Sequence, residues 1–185
     1  MIASWEKLKF VLNNDKKIYI RTTFIGCFFD KLLCRENVVI WSYVKTMRYC
    51  EYWTNNKHIS IFHNIIYFYY LRKYNKKSIQ LGLIIGASAF DEGLTIYHTG
   101  NIVVNGYSKI GKNCKLHGDN CIGNSKTNDD CPTIGDNVRL CVGAKVIGDI
   151  YIANNVTVAA GAVVVKSCYD KGALLVGVPA KIINK

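Results

Sequence analysis

Apolar residues recur at every sixth position through the C-terminal half of the chain. The series is interrupted by a polar residue only at Asn128. Its apolar members are Val104, Ile110, Leu116, Ile122, Ile134, Leu140, Val146, Ile152, Val158 and Val164. Helix and strand side chains repeat every 3.6 and 2 residues, so neither element has this period. The pattern predicts a hexapeptide solenoid, in which three short strands form a triangular turn and the turns stack on one core.

A second set of residues has the same period. Three positions after most of the apolar residues stand Asn113, Asp119, Asn137, Gly143, Asp149, Asn155 and Gly161. Asn, Asp and Gly tolerate a positive φ better than other residues do. We therefore expect a tight corner after each strand.

The period has two irregularities. Ile84, Phe90, Ile96 and Ile102 are also six apart, but they lie two residues ahead of the main series. This slip between Ile102 and Val104 predicts that His98 lies outside the core, at or near a corner. The second irregularity is the polar segment 123–132, which we expect to form a loop projecting beside a site or a plain surface insertion.

Residues 1–80 lack the six-residue period. Their apolar residues have helical spacing, which predicts several short helices separated by the polar segments 13–15, 55–57 and 75–77. The expected domains are an N-terminal helical cap, 1–80, and a solenoid, 81–185.

Charge is unevenly distributed along the chain. Residues 1–80 contain 14 Lys/Arg against 5 Asp/Glu, a net +9 within a total of +11. This basic segment is aromatic between Tyr67 and Tyr74, which leaves two alternatives. One is contact with anionic lipid or a lipid-linked acceptor, and the other is a helical cap whose aromatic residues pack on the first turn of the solenoid and whose lysines are solvated. No nucleic-acid-binding module accompanies the charge, and no apolar run predicts a membrane span. The eight scattered cysteines are interpreted as reduced packing residues, and the expected location is cytoplasmic, with contact at the inner membrane face as an extension.

Three segments together resemble one known family. They are residues 96–104, with the sequence IYHTGNIVV, the hexads up to Val164, and residues 176–183, with the sequence VGVPAKII. Over about residues 83–183 the chain resembles the serine acetyltransferase family of left-handed β-helix acyltransferases. The resemblance implies a mainly β fold, a left-handed parallel β-helix with a short N-terminal α-helical segment. It also implies acetyl-CoA as co-substrate, a homotrimer and no metal.

The resemblance also implies site residues. His98 falls on the catalytic histidine of the family, which accepts the proton of the acceptor hydroxyl. Small residues of later turns would line the acetyl-CoA groove, and the C-terminal segment would close it. The residues expected to bind the co-substrate are Gly143, Ala144, Ala160, Gly161, Ala162, Gly177 and Lys181.

The chain departs from the family pattern in its acids. Leu83 and Tyr97 occupy positions where the family carries acids, so the usual partner of the histidine is missing. Asp91, Glu92 or Asp119 are the candidates to replace it. His117 is a second candidate catalytic residue or a surface residue.

The expected acceptor follows from the projecting loop. Where the family has an Arg-His pair before a proline, this chain has Asp130 and Cys131 before Pro132. Acids repel a carboxylate, whereas Asp and Asn oxygens suit sugar hydroxyls. The loop residues expected to bind the acceptor are Asn124, Asp129, Asp130 and Cys131. We therefore expect an O-acetyltransferase acting on a sugar in surface or capsular polysaccharide biosynthesis, with L-serine, or a non-enzymatic scaffold, as alternatives.

Overall fold

The computed structural model describes residues 1–126 and 130–183. The chain divides into two compact units, Met1–Leu81 and Gly82–Lys185. The first unit consists of four helices: α1 (Trp5–Tyr19), α2 (Phe24–Leu32), α3 (Glu36–Asn56) and α4 (Ile61–Leu81). In the described part of the chain, no helix combines the length and the apolar character needed to cross a membrane.

The helices are longer than the sequence predicted, because two of the expected breaks lie inside them. Segment 13–15 falls within α1, where Asp15 is buried and accepts a hydrogen bond from Arg48 Nε at 2.9 Å. Segment 75–77 falls within α4, where Lys77 Nζ donates to Ser42 O at 2.8 Å. These polar residues face partners on α3, so they do not end their helices. Only the break at 55–57 coincides with a helix end.

The aromatic part of α4 packs mainly on α3. The Tyr70 ring stacks on Tyr49, with centroids 5.1 Å apart, and the Tyr74 hydroxyl lies 3.1 Å from that of Tyr43. These two rings thus pack within the helical unit, whereas Phe68 and Tyr69 are exposed.

The second unit is the predicted β-helix. Its strands are β1 (Leu83–Ile85), β2 (Thr95–Ile96), β3 (Ile102–Val104), β4 (Lys109–Ile110), β5 (Lys115–Leu116), β6 (Cys121–Gly123), β7 (Thr133–Ile134), β8 (Arg139–Leu140), β9 (Lys145–Ile147), β10 (Tyr151–Ile152), β11 (Thr157–Val158), β12 (Val163–Val164), β13 (Leu174–Val176) and β14 (Lys181–Ile183). They form three sheets in the orders β1-β3-β6-β9-β12, β10-β7-β4 and β14-β13-β11-β8-β5-β2. All pairs are parallel except β13 with β14. The fold is a left-handed β-helix, as predicted.

The hexad series forms the core. Every described member from Val104 to Val164 is buried, and Asn128 lies outside the described residues. The early phase is only partly confirmed. Phe90, Ile96 and Ile102 are buried, but Ile84 is 59% exposed because β1 turns Leu83 and Ile85 inward instead.

The predicted corners are largely confirmed. Positive φ angles occur at Asn113, Asp119, Asn137, Gly143, Asn155 and Gly161. The exception is the corner at Asp149, where Gly148 takes the positive φ of 100°. Glycine adopts this conformation without a Cβ clash, so Asp149 does not need a positive φ. No two of the eight cysteines, all within the described part of the chain, form a disulfide.

Candidate active site

One edge of the six-stranded sheet brings several of the candidate residues together. Ile96 pairs with Leu116, Leu116 with Leu140, and Leu140 with Val158. The chain leaves these strands at the same edge, and we call the corner segments 97–101, 117–120, 141–144 and 159–162 the exit edge. Residues far apart in sequence become neighbours here because parallel strands end on one side.

His98 lies on an enlarged corner of the exit edge. Ile96 pairs with Leu116 and Val104 with Ile122, so eight positions separate the first pair of core residues from the second where the next turn has six. The two additional residues lie within 97–102, because Ile102 is buried as well as Val104, and His98 is exposed in this stretch. The sequence prediction that the phase slip places His98 outside the core is thus confirmed.

Tyr97 and His117 stack on each other beside His98. Their ring centroids are 4.3 Å apart and their planes are inclined by 24°. His117 Nε2 is buried and has no hydrogen-bond partner in the described residues. Burial lowers the pKa of His117 below its ordinary value of 6.5, and the charges of Arg139, His98 and Lys115 lower it further. His117 is therefore held in its neutral form near pH 7.

The candidate carboxylates occupy two edges of the sheet. Asp119 lies on the exit edge and accepts a hydrogen bond from Asn101 Nδ2 at 2.7 Å. Asp91 lies on the corner that precedes β2, where its backbone N–H donates to Ile110 O at 2.9 Å. Glu92, on that same corner, pairs with Lys112 at 3.0 Å. The topology thus brings Asp119 to the edge that carries His98 and places Asp91 at the opposite one.

Only some of the residues predicted to line the co-substrate groove have accessible surface. Gly143 and Gly161 lie on the exit edge with φ of +72° and +68°, and an added Cβ at Gly161 would meet no atom within 4 Å. Ala160 is exposed beside it. Ala144 and Ala162 are both 0% exposed, which corrects their prediction. Their methyl groups fill the core, so they have no surface to offer a ligand.

The two C-terminal residues predicted to line the groove have exposed surface. Gly177, which follows β13, and Lys181, at the start of β14, are both exposed. Ala159 N–H donates to Leu175 O at 2.8 Å, so β13 extends the row of parallel strands that end at the exit edge.

The projecting loop follows β6 and adds six residues to one turn. Cys121 pairs with Lys145, 24 positions later, whereas Lys145 pairs with Val163 after 18. Asn124 Oδ1 accepts a hydrogen bond from Asn105 Nδ2 at 2.9 Å. Asp130 is half-buried, and Asp129 lies outside the described residues.

Cys131 needs a correction as an acceptor-binding candidate. It is only 6% exposed, because the chain re-enters the solenoid at this point and turns the side chain inward. Of the acceptor-binding candidates that the structure describes, Asn124 and Asp130 are thus the ones with partly accessible surface.

Sequence reasoning missed the Tyr97–His117 stack and the Asn101–Asp119 hydrogen bond. Tyr97 and His117 are 20 positions apart, which is the offset at which β2 pairs with β5. Three hexads would give an offset of 18, so the stack could be predicted only if the two additional residues of the enlarged corner were counted.

The chain is similar in sequence to serine acetyltransferases. No family model matches the chain. A serine acetyltransferase of Mycobacterium tuberculosis is 33% identical over 113 residues, which cover 58% of this chain and 45% of that protein. A second, from Synechococcus elongatus, is 30% identical over 96 residues, which cover 51% of this chain and 39% of that protein. The chain thus spans less than half the length of these relatives.

Solved structures extend the likeness to most of the chain. A serine acetyltransferase from Brucella abortus has a TM-score of 0.73 at 24% identity, covering 98% of this chain and 70% of that one. The Neisseria gonorrhoeae enzyme in complex with serine has a TM-score of 0.70 at 25% identity, with 98% and 71% covered. A serine acetyltransferase in complex with CoA has a TM-score of 0.69 at 19% identity, with 97% and 71% covered. The chain is similar in sequence and in fold to serine acetyltransferases, and the predicted resemblance is confirmed.

Proposed function

We propose that this chain is an acetyl-CoA-dependent O-acetyltransferase with His98 as its general base. The observation that carries the proposal is the exposed imidazole on the enlarged corner, at the edge where Gly143 and Gly161 open the surface. The serine acetyltransferases to which the chain is similar support the same reaction class.

In the proposed reaction, the His98 imidazole accepts the proton of the acceptor hydroxyl as its oxygen attacks the thioester carbonyl carbon of acetyl-CoA. The C–S bond then breaks, and the CoA sulfur takes the proton from the imidazolium. The products are an O-acetyl ester and CoA, so protons and electrons balance. An imidazole suits both steps because its ordinary pKa lies near neutrality.

Tyr97 and His117 are proposed to form the wall behind His98. A neutral His117 adds no positive charge beside the base, so it does not oppose formation of the His98 imidazolium. Asp119 is the carboxylate that best suits a positioning role, because it lies on the same edge and is held by Asn101. Asp91 would reach His98 only from a neighbouring chain.

Acetyl-CoA is proposed to lie along the exit edge. Gly143, Ala160 and Gly161 would allow the pantetheine arm to approach the backbone, and Gly177 and Lys181 would contact its far end. The proposed assembly is a homotrimer, in which a neighbouring solenoid supplies the second wall of the groove.

The acceptor has two candidates. The names of the relatives support L-serine better than the sugar predicted from the sequence. The observation that favours a sugar hydroxyl is local, since Asp130 and a buried Cys131 stand where the family carries its Arg-His pair. Neither residue provides the bidentate donor that a carboxylate prefers.

The first experiment follows release of the CoA thiol from acetyl-CoA, with L-serine or a panel of nucleotide sugars and oligosaccharides as acceptor. His98→Ala is compared with His58→Ala, which removes an exposed histidine of the helical unit. We expect His98→Ala to lose about 10²- to 10⁴-fold in kcat and His58→Ala to match the wild type. Equal turnover in all three proteins would remove His98 from the mechanism.

The same assay decides between the acceptors. Saturation by L-serine in the general range of KM, about 1 μM to 1 mM, identifies serine as the substrate. Saturation by a sugar, without saturation by L-serine, identifies a sugar as the acceptor. Absence of thiol release with every acceptor would contradict the enzyme proposal and support a scaffold role.

A further inference from the structure

Helix α2 has an unusual distribution of side chains. Its exposed apolar side chains are Phe24, Ile25, Phe28, Phe29 and Leu32, between 50% and 86% exposed, and Leu33 follows at 60%. Its buried residue is an acid, Asp30, at 1% exposure. The helix is therefore inverted relative to an ordinary surface helix, which turns its apolar side chains toward the core.

The apolar side chains form one continuous stripe. With 3.6 residues per turn, Phe24, Ile25, Phe28, Phe29 and Leu32 fall within an arc of roughly 140°, with Asp30 on the opposite side. We call these five residues the α2 stripe. An exposed apolar patch of this kind marks an interaction surface, because water contact with it is unfavourable.

Ion pairs hold the helix in this orientation. The Asp30 carboxylate forms ion pairs with Arg21 Nε at 3.2 Å and Arg35 Nε at 3.3 Å, and it accepts a hydrogen bond from Asn37 Nδ2 at 3.4 Å. A buried carboxylate without partners is strongly unfavourable, so these donors fix Asp30 inward. The stripe consequently faces outward.

A basic cleft adjoins the stripe. It has a volume of about 750 Å³, and Phe24 of the stripe is among its lining residues. Its cations are Lys16, Lys17, Arg21, Lys31 and Lys45. Among the described residues that line the cleft, none is Asp or Glu. The surface thus combines an apolar ridge with a group of positive charges.

We propose that the α2 stripe and the basic cleft bind an anionic phospholipid surface. The stripe enters the boundary between headgroups and acyl chains, and the cleft receives lipid phosphates. An interfacial helix binds in this way, through apolar burial combined with attraction between Lys or Arg and anionic headgroups. The inference goes beyond the proposed transferase activity and does not depend on it.

Charge complementarity favours lipid over a second copy of the chain. A two-fold interface places the same patch of each copy against the other. That arrangement would bring the four lysines of the cleft close to their counterparts, and like charges across an interface are costly. An anionic membrane satisfies both the apolar and the charged part of the surface.

The test is sedimentation of the full chain with vesicles of phosphatidylcholine and phosphatidylglycerol in equal parts, and with vesicles of phosphatidylcholine alone. We expect binding to the anionic vesicles that weakens as salt is raised, because salt screens the attraction. A stripe variant, Phe24→Ser with Phe28→Ser, and a cleft variant, Lys16→Gln, Lys17→Gln and Lys31→Gln, should each reduce the partition coefficient at least tenfold.

Matched controls change exposed residues of the second unit. Val165→Ser with Tyr169→Ser removes two exposed apolar groups, and Lys109→Gln, Lys166→Gln and Lys171→Gln remove three charges. Both should bind vesicles as the wild type does. Far-ultraviolet circular dichroism confirms that each variant is folded, which is expected because the changed side chains are exposed.

Three results would overturn the proposal. One is absence of sedimentation with anionic vesicles. Another is equal loss in the controls, which would make the binding non-specific. The third is a lower molar mass of the lipid-free stripe variant by light scattering, which would identify the stripe as an interface between copies. Thiol release from acetyl-CoA is measured separately, so failure here leaves the transferase proposal intact.

Discussion

The ring of Tyr97 lies almost parallel to that of His117, with centroids 4.3 Å apart. The two residues meet because β2 pairs with β5, placing Ile96 opposite Leu116 one position before each ring. The stack therefore depends on strand register at the exit edge. It gives His117 a defined environment next to the proposed base, and its pKa is open to measurement.

The lowered pKa of His117 depends partly on neighbouring cations. Arg139→Gln removes the largest electrostatic cause after burial, so the pKa of His117 should rise toward 6.5. The measurement is an NMR titration of the imidazole resonances. Arg72→Gln, a change at an exposed residue of α4, should leave the value unchanged. An unaltered pKa in Arg139→Gln would show that Arg139 does not contribute to the shift.

The same shift makes stability depend on pH. The unfolded chain binds the His117 proton more tightly than the folded one, since the folded pKa lies below 6.5. Stability from this group is complete above the unfolded value and is lost as pH falls from there toward the folded pKa. His117→Gln should reduce this slope in urea unfolding followed by circular dichroism. A slope identical to that of the wild type would contradict the assignment.

Alanine substitutions at Gly161 and Gly172 distinguish the effect of backbone strain from an effect on co-substrate binding. Gly161 and Gly172 both have positive φ, +68° and +75°, and an added Cβ would meet no atom within 4 Å at either. Alanine at each should destabilise the fold by about 1–2 kcal/mol. Only Gly161→Ala should also raise the KM for acetyl-CoA, because only Gly161 lies on the exit edge. An equal KM in both variants would move the groove elsewhere.

A row of asparagines stabilises another corner of the solenoid. Asn113 Nδ2 donates to Asn137 Oδ1 at 3.0 Å, and Asn137 Nδ2 donates to Asn155 Oδ1 at 3.2 Å. Asn137→Gly removes both hydrogen bonds but keeps a residue that tolerates φ of 57°. Asn137→Ala adds the strain of a Cβ at that φ. We expect Ala to be less stable than Gly by about 1 kcal/mol in thermal unfolding; the reverse order would show that strain is minor.

A buried charge cluster holds the helical unit together. Arg48 is 0% exposed, its Nε lies 2.9 Å from Asp15 Oδ2, and its Nη1 lies 3.6 Å from Glu51 Oε2. Arg48→Met leaves two buried acids without their cation and should lower the free energy of unfolding by about 3–5 kcal/mol. The three tryptophans, Trp5, Trp41 and Trp53, all lie in this unit, so their fluorescence reports its unfolding.

The control for the cluster is Arg72→Met, at an exposed position of α4. It should change the free energy of unfolding by less than about 0.5 kcal/mol. Comparable losses in the two variants would mean that the buried pairing contributes nothing beyond the loss of a charge.

The six-residue period was sufficient to predict the solenoid, its core residues and most of its corners. Each turn needs an inward apolar residue and a tight corner at the same positions. It also placed His98 outside the core through the phase slip. It was misleading at Ile84, where β1 uses alternation to turn Leu83 and Ile85 inward, and at Asp149, where a preceding glycine takes the corner. Ala144 and Ala162 were assigned to a surface because small residues suit both a groove and a core.

The sequence by itself determined the repeating fold, because the apolar period and the corner residues act locally in every turn. The tertiary structure decided which polar residues meet. Strand register joined Tyr97 to His117 and Asn101 to Asp119, and it separated Asp91 from His98 across one sheet. It also showed that Asp30 faces inward and the α2 stripe outward, since arginines before and after the helix hold the acid. These relationships depend on contacts between distant segments, which local periodicity does not specify.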